Sequence, residues 1–161
     1  MDNKQHNKSG KSTLSLLEYS EEDLEVHWKT AIQKGKVTSD MMENSPCLFT
    51  NAQDGRFSVG GKKICFSYQL VAWKKFGRDS MVAIPSNKTD QNDLVISHIC
   101  GNGPRCIRDT HLALEPKKVN DERTHCHFCL RNVFKREGSE GVTKALNLGI
   151  CSHDQQCCTE K

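Results

Sequence analysis

Apolar positions in this chain fall into short stretches whose spacing changes along its length. Residues 1–13, MDNKQHNKSGKST, are almost wholly polar and read as a disordered tail. The SGKST in it is not a phosphate loop, because Gln5 stands where that loop needs its first glycine. In LLEYSEEDLEVHWKTAIQKGK, Leu24, Trp28 and Ala31 with Ile32 recur at helical spacing. Ser20 with Asp23 makes an acidic variant of a capping box, Glu21 to Asp23 suit a helix start, and Gly35 fits its stop. This predicts an amphipathic helix packed on the core or on a second subunit, with His27 on its surface. Alternation in Arg56–Val59 and Lys62–Phe66, with Gly60-Gly61 between, predicts a β-hairpin. SYQLVAWKKFG reads as a short helix ending at Gly77, and residues 79–92 as a polar connection. LVISHIC is expected to be a buried strand with Ile96 turned inward, closed by a Gly-Asn-Gly-Pro loop. Pro116 fits the first turn of a helix carrying Lys117 to Arg123. The class is α+β, with antiparallel hairpins, short helices, long loops and no internal repeat. Its expected organisation is a tail over 1–13, a helical region over 14–45 and a domain over 46–161.

Composition adds a difficulty. Only 35% of the 161 residues are hydrophobic and 6% aromatic, which is little for a core of ordinary size. Nine cysteines suggest a second source of cohesion. An odd count prevents complete internal pairing, and no secretory signal or run of roughly 18 apolar residues is visible. Cysteines interleaved with histidines therefore point to metal, with zinc favoured over disulfides. Net charge is only +3, from 23 Lys and Arg against 20 acids. Its distribution is uneven: acids cluster at 18–25, while Arg56, Lys62, Lys63, Lys74, Lys75 and Arg78 crowd the middle. Such a patch can track phosphates or be a solvated surface.

Cys100, Cys106 and His111 offer three zinc ligands within one loop, with spacing that makes closure inexpensive. Cys47 and Cys65 compete for the fourth place. Cys65 sits between Ile64 and Phe66 and reads as a core thiol, so Cys47 is preferred. A second set contains Cys126, Cys129, Cys151, His153, Cys157 and Cys158, with His125 and His127 nearby. Cys151-x-His153-x3-Cys157 is its tightest part, to be completed by Cys126 or Cys129.

His98 and Asn120 are surplus to a zinc scaffold. Taken singly, a strand histidine is usually a satisfied core residue and a helix asparagine an ordinary surface one. Strand histidine, zinc loop and helix asparagine in that order suit phosphodiester hydrolysis. A histidine can take the proton from attacking water, while a hard cation held by an amide oxygen neutralises developing charge. The run Ser97-His98-Ile99-Cys100, then Cys106, His111, Asn120 and Cys126, resembles the signature of the His-Cys box homing endonucleases. These belong to the ββα-metal, or His-Me finger, nucleases, and the resemblance extends from about Cys47 to Cys157.

That resemblance implies a zinc-stabilised ββα-metal nuclease fold and a Mg²⁺-dependent, site-specific DNA endonuclease. It makes His98 the general base, Asn120 the Mg²⁺ ligand and Lys62 the nearest counterpart of a phosphate-holding arginine. It assigns Cys47, Cys100, Cys106 and His111 to one structural zinc, and Cys126, Cys151, His153 and Cys157 to another. It further implies a homodimer on near-palindromic double-stranded DNA, a hairpin with Arg56, Lys62 and Lys63 in the major groove, and a nuclear setting. The alternative is a catalytically inactive zinc-binding module descended from such a nuclease, which needs only the cysteines and the basic hairpin. The insert HFCLRNVFKREGSEGVTKALNLGI separates Cys126 from Cys151.

Overall fold

The computed structural model describes residues 15–34, 47–50, 55–59, 62–85 and 87–153, without the side chains of Ser15, Lys62 and Lys63. The expected tail, the Gly35 helix stop, the Gly60-Gly61 turn, Cys157 and Cys158 lie outside the described residues. Helix α1 spans Glu21–Gln33, and the Ser20 hydroxyl accepts a hydrogen bond from the Asp23 amide at 3.1 Å. Leu24, Trp28 and Ala31 are buried, in one apolar cluster with Phe57, Ile64, Leu70, Val71 and Leu112. The apolar stripe thus packs on the core of its own chain. His27 corrects the surface expectation: its ring is wedged between Tyr19, at 5.0 Å between centroids, and Phe57, at 6.1 Å.

Strands β1 (Arg56–Val59) and β2 (Lys62–Phe66) pair antiparallel as the alternation predicts, with an irregularity between Phe57 and Ser58. Helix α2 follows at once as Ser67–Val82. Its start is fixed by the Phe66 amide donating to Gln69 Oε1 at 2.9 Å and the Ser67 amide donating to the Gly55 carbonyl at 2.8 Å. The helix does not end at Gly77. That glycine breaks it with φ 79°, a conformation that costs glycine little, and a further turn continues to Val82, so the connection begins later than expected.

Strand β3 (Leu94–His98) pairs antiparallel with β4 (Leu112–Pro116), which the hydrophobic pattern does not reveal. Both faces of β3 are covered: Val95 and Ser97 are buried on one side, while Ile96 packs against the main apolar cluster on the other, the half-buried face it shares with His98. Pro116 ends β4 and flanks a helix that is far longer than expected: α3 covers Lys117–Asn147, interrupted at Gly138 with φ 67°. Beyond the break the chain folds back. Val142 and Ala145 pack with Cys126 and Leu130 in a second, smaller apolar cluster. The insert is therefore a helical hairpin that returns Cys151 to Cys126. Among the described residues, no helix is long and apolar enough to cross a membrane.

Candidate functional site

Residues 98–112 form a loop that leaves β3 and re-enters the sheet at β4, and several backbone bonds close it. The Ile99 amide donates to the His111 carbonyl at 2.9 Å, and the Cys106 amide to the Asn102 carbonyl at 3.2 Å. Residues 48–50 lie along the loop: Ile107 N–H bonds to Leu48 O at 2.7 Å, and Thr50 N–H to Arg105 O at 3.0 Å. This brings Cys47 to the cluster from far along the chain. The ligand atoms of Cys47, Cys100, Cys106 and His111 all lie within 4.8 Å of one another.

The separations suit zinc. His111 Nδ1 is 3.4 Å from Cys47 Sγ and 3.6 Å from Cys106 Sγ. A tetrahedral zinc with ordinary bonds to sulfur and nitrogen has S···N edges of about 3.6 Å. Three thiols and an imidazole make a soft donor set, which disfavours Mg²⁺ or Ca²⁺. A hydrogen bond shared between Cys100 and Cys106 holds the Cys106 thiol well below the ordinary range; the same bond, with burial, pushes Cys100 up. Cys65 stays out of the cluster, and burial pushes its thiol up to about 12, as suits an inert core cysteine.

A second group consists, among the described residues, of Cys126, Cys151 and His153. Cys151 Sγ lies 3.2 Å from His153 Nδ1. Cys129 does not join them. Its Sγ is 3.7 Å from His125 Nε2, and both line the cleft that Cys126 and His153 also line.

His98 stands at the end of β3 beside the first cluster. Its Nε2 is 3.1 Å from the Cys106 carbonyl oxygen. A carbonyl only accepts, so Nε2 carries the proton and Nδ1 keeps a lone pair. Burial lowers the pKa of the imidazole, and the bond to Cys106 opposes that shift in part. Tyr68, from the first turn of α2, presents its ring at 4.7 Å and 71° to the His98 ring.

Asn120 lies on the first turns of α3 and is half-buried. Helical periodicity places it on the same side as Arg123 and His127, both of which bind the β3–β4 unit. The Arg123 guanidinium forms a two-pronged pair with Glu115 of β4, at 2.7 and 3.0 Å. His127 Nε2–H donates to the Ile99 carbonyl at 2.8 Å, and Arg131 donates to the Gly101 carbonyl at 2.7 Å. Gly101 is needed here: its φ is 69°, and a Cβ on it would lie 2.7 Å from the His127 ring. These contacts dock α3 under the zinc loop. Sequence reasoning placed His127 only near the second cysteine set and missed Tyr68, Arg123 and Arg131. Its one available signal was the Gly101-Asn102-Gly103 run within a metal loop.

The structure gives three cations of the basic patch partners within the chain. Lys74 pairs with Glu25. Lys75 donates to the Asp109 and Leu112 carbonyls at 2.8 and 2.9 Å, and Arg78 to those of Tyr19 and Leu17 at 2.9 and 3.0 Å. These cations fasten α2 to its neighbours. Arg56 is exposed on β1, its guanidinium 4.7 Å from the Phe66 ring centroid. Lys62 and Lys63 pair with Val59 and Ser58 through their backbones.

A family model described as the zinc-binding loop region of homing endonuclease matches residues 26–161. The chain belongs to the His-Cys box homing endonuclease family. No curated protein and no solved structure matches it. Family and geometry together support zinc as the metal of the Cys/His groups.

Proposed function

We propose that this protein is a Mg²⁺-dependent, site-specific endonuclease of double-stranded DNA, with His98 as general base. The observation that carries this reading is the 3.1 Å bond from His98 Nε2–H to the Cys106 carbonyl. It fixes the tautomer, leaving Nδ1 to take a proton from the water that attacks phosphorus. The zinc loop supplies the carbonyl, so zinc held by Cys47, Cys100, Cys106 and His111 acts by position rather than chemistry. A second zinc on Cys126, Cys151, His153 and Cys157 fastens the helical hairpin.

Asn120, half-buried on the first turns of α3, has a hard amide oxygen and would hold Mg²⁺ with substrate oxygens and water. When bound, that ion supplies charge neutralisation at the phosphate and the leaving oxygen. Arg56, Lys62 and Lys63 of the β1–β2 hairpin would contact DNA, with Lys62 nearest the scissile phosphate. A lysine provides charge without the planar fork of an arginine. The homodimer and nuclear setting implied by the family resemblance belong to the same proposal.

The test is cleavage of a randomised-sequence DNA library by zinc-loaded protein, with Mg²⁺ or EDTA, wild type beside His98→Ala. Selective, Mg²⁺-dependent cutting that the variant loses is the expected result. Equal cutting by the variant would refute the mechanism, and selective binding without cutting would leave a zinc-scaffolded binding module.

A further inference from the structure

We propose that Tyr68 and Gly103 form a clamp that fixes the His98 imidazole in its hydrogen-bonded orientation, Gly103 against one ring face and Tyr68 against the ring at a steep angle. The consequence for catalysis rests on the nuclease reading above; the clamp itself does not.

The Gly103 contact follows from three distances. A Cβ built on Gly103 would lie 2.6 Å from His98 Nδ1, 2.9 Å from Cγ and 3.0 Å from Cε1. Approach along the Nδ1 lone pair would hold the two carbons much farther off than the nitrogen. Near-equality of the three means that Gly103 sits above the ring plane, covering the face and leaving the lone-pair edge uncovered from that direction. Gly103 is not among the glycines with positive φ, so no left-handed strain accounts for a glycine there. What a side chain there would meet is the His98 ring.

Tyr68 is itself held in place. It stacks on Phe66 at 5.6 Å and 25°, and Phe66 carries the Arg56 guanidinium 4.7 Å from its ring centroid. The Gln69 bond to the Phe66 amide and the Gly55 bond to the Ser67 amide fix the turn from which Tyr68 projects. Burial pushes the Tyr68 phenol up to about 12, so this neighbour adds no charge beside the base at neutral pH. A ring held by one hydrogen bond can pivot about it. Contacts on a face and at a steep angle remove that freedom, which is the preorganisation a base requires.

The test has a stability arm and a cleavage arm. In the stability arm, Tm is measured for the zinc-loaded wild type, Gly103→Ala, Tyr68→Ala, His98→Ala and the two double variants with His98→Ala. The expected result is non-additivity: Gly103→Ala lowers Tm by several degrees beside His98 and by far less when the ring is absent. Should Gly103→Ala fail to fold alone, folding restored by His98→Ala is the same result in stronger form. Equal losses in both backgrounds would overturn the clamp.

In the cleavage arm, a DNA site selected from the randomised library serves as substrate. Gly103→Ala and Tyr68→Ala should lower kcat on the order of a hundredfold, as a misplacement near 1 Å can, while KM and zinc content hold. Tyr68→Phe, which keeps the ring, should restore the rate. Wild-type rates in the Gly103→Ala and Tyr68→Ala variants would overturn the positioning role. If even wild type fails to cut while the Tm coupling is present, the nuclease reading has failed and the clamp stands.

Discussion

Burial and a backbone carbonyl act on His98 in opposite directions, and burial prevails. The imidazole pKa therefore lies below its ordinary 6.5. A general base must be neutral, so the acid limb of the cleavage profile should have its midpoint on the acid side of 6.5. A pH–rate profile whose acid limb lies above 6.5 would contradict the buried base. His98→Ala should cost about two to four orders of magnitude in cleavage rate with DNA affinity retained, the range expected of a lost acid–base group. Asn120→Ala should act differently, moving half-maximal cleavage to higher Mg²⁺ in a metal titration; an unchanged Mg²⁺ requirement would remove Asn120 from that role. At this scale much of the first metal group is legible in the sequence. Cys47 rather than Cys65 joins the first cluster because Cys65 sits in an apolar strand, as its neighbours indicate. Gly103 and Tyr68 were not legible, since only the fold brings either one to His98.

Among the elements, α1 and the β1–β2 hairpin follow from sequence because apolar residues alone mark their inner faces. The β4–α3 unit hides itself because polar side chains interrupt its inner face. Glu115, Arg123 and His127 are all buried, so a period count that treats them as surface finds neither the strand nor the length of the helix. The Glu115–Arg123 pair is what makes that burial tolerable, with the Arg123 side chain only 3% exposed. Removing one partner leaves the other charge uncompensated. Glu115→Ala should therefore destabilise by roughly 3–5 kcal/mol, far more than a surface ion pair is worth. Replacing both, Glu115→Leu with Arg123→Met, should recover most of that loss, because the desolvation cost leaves with the charges. Chemical denaturation of the zinc-loaded forms measures both. Additive losses would mean that the pair does not act as a unit.

Two apolar clusters of unequal size share the molecule, and each lies beside one Cys/His group. Their sizes make the two groups unequal in consequence. The smaller cluster contains Leu130, Val142 and Ala145 with two cysteines, Cys126 and Cys151, and half-buried Val133, Phe134 and Leu146 pack against it. Burying a leucine or valine contributes roughly 1.5–3 kcal/mol. Fixing a residue's backbone costs about 1–2 kcal/mol, so a cluster this small leaves the returning helix and the chain through His153 weakly held. Zinc on the Cys126, Cys151 and His153 group would add to that hold. The larger cluster joins α1, α2, β1, β2 and Leu112, and keeps a substantial core without either ion. The first metal nevertheless ties residues 47–50 and the His98 loop to that core, and a structural zinc site is worth about 10–16 kcal/mol, comparable to a whole domain's stability. Cys151→Ser should thus release residues 139–153 to amide exchange while His98 and α1 stay protected and some DNA binding survives. Cys106→Ser should instead expose residues 47–50 and 98–112 and abolish cutting. Hydrogen exchange of the two variants beside a chelated sample distinguishes them. Identical footprints, with protection lost everywhere at once, would show that the clusters unfold as one and that the second site is as global as the first.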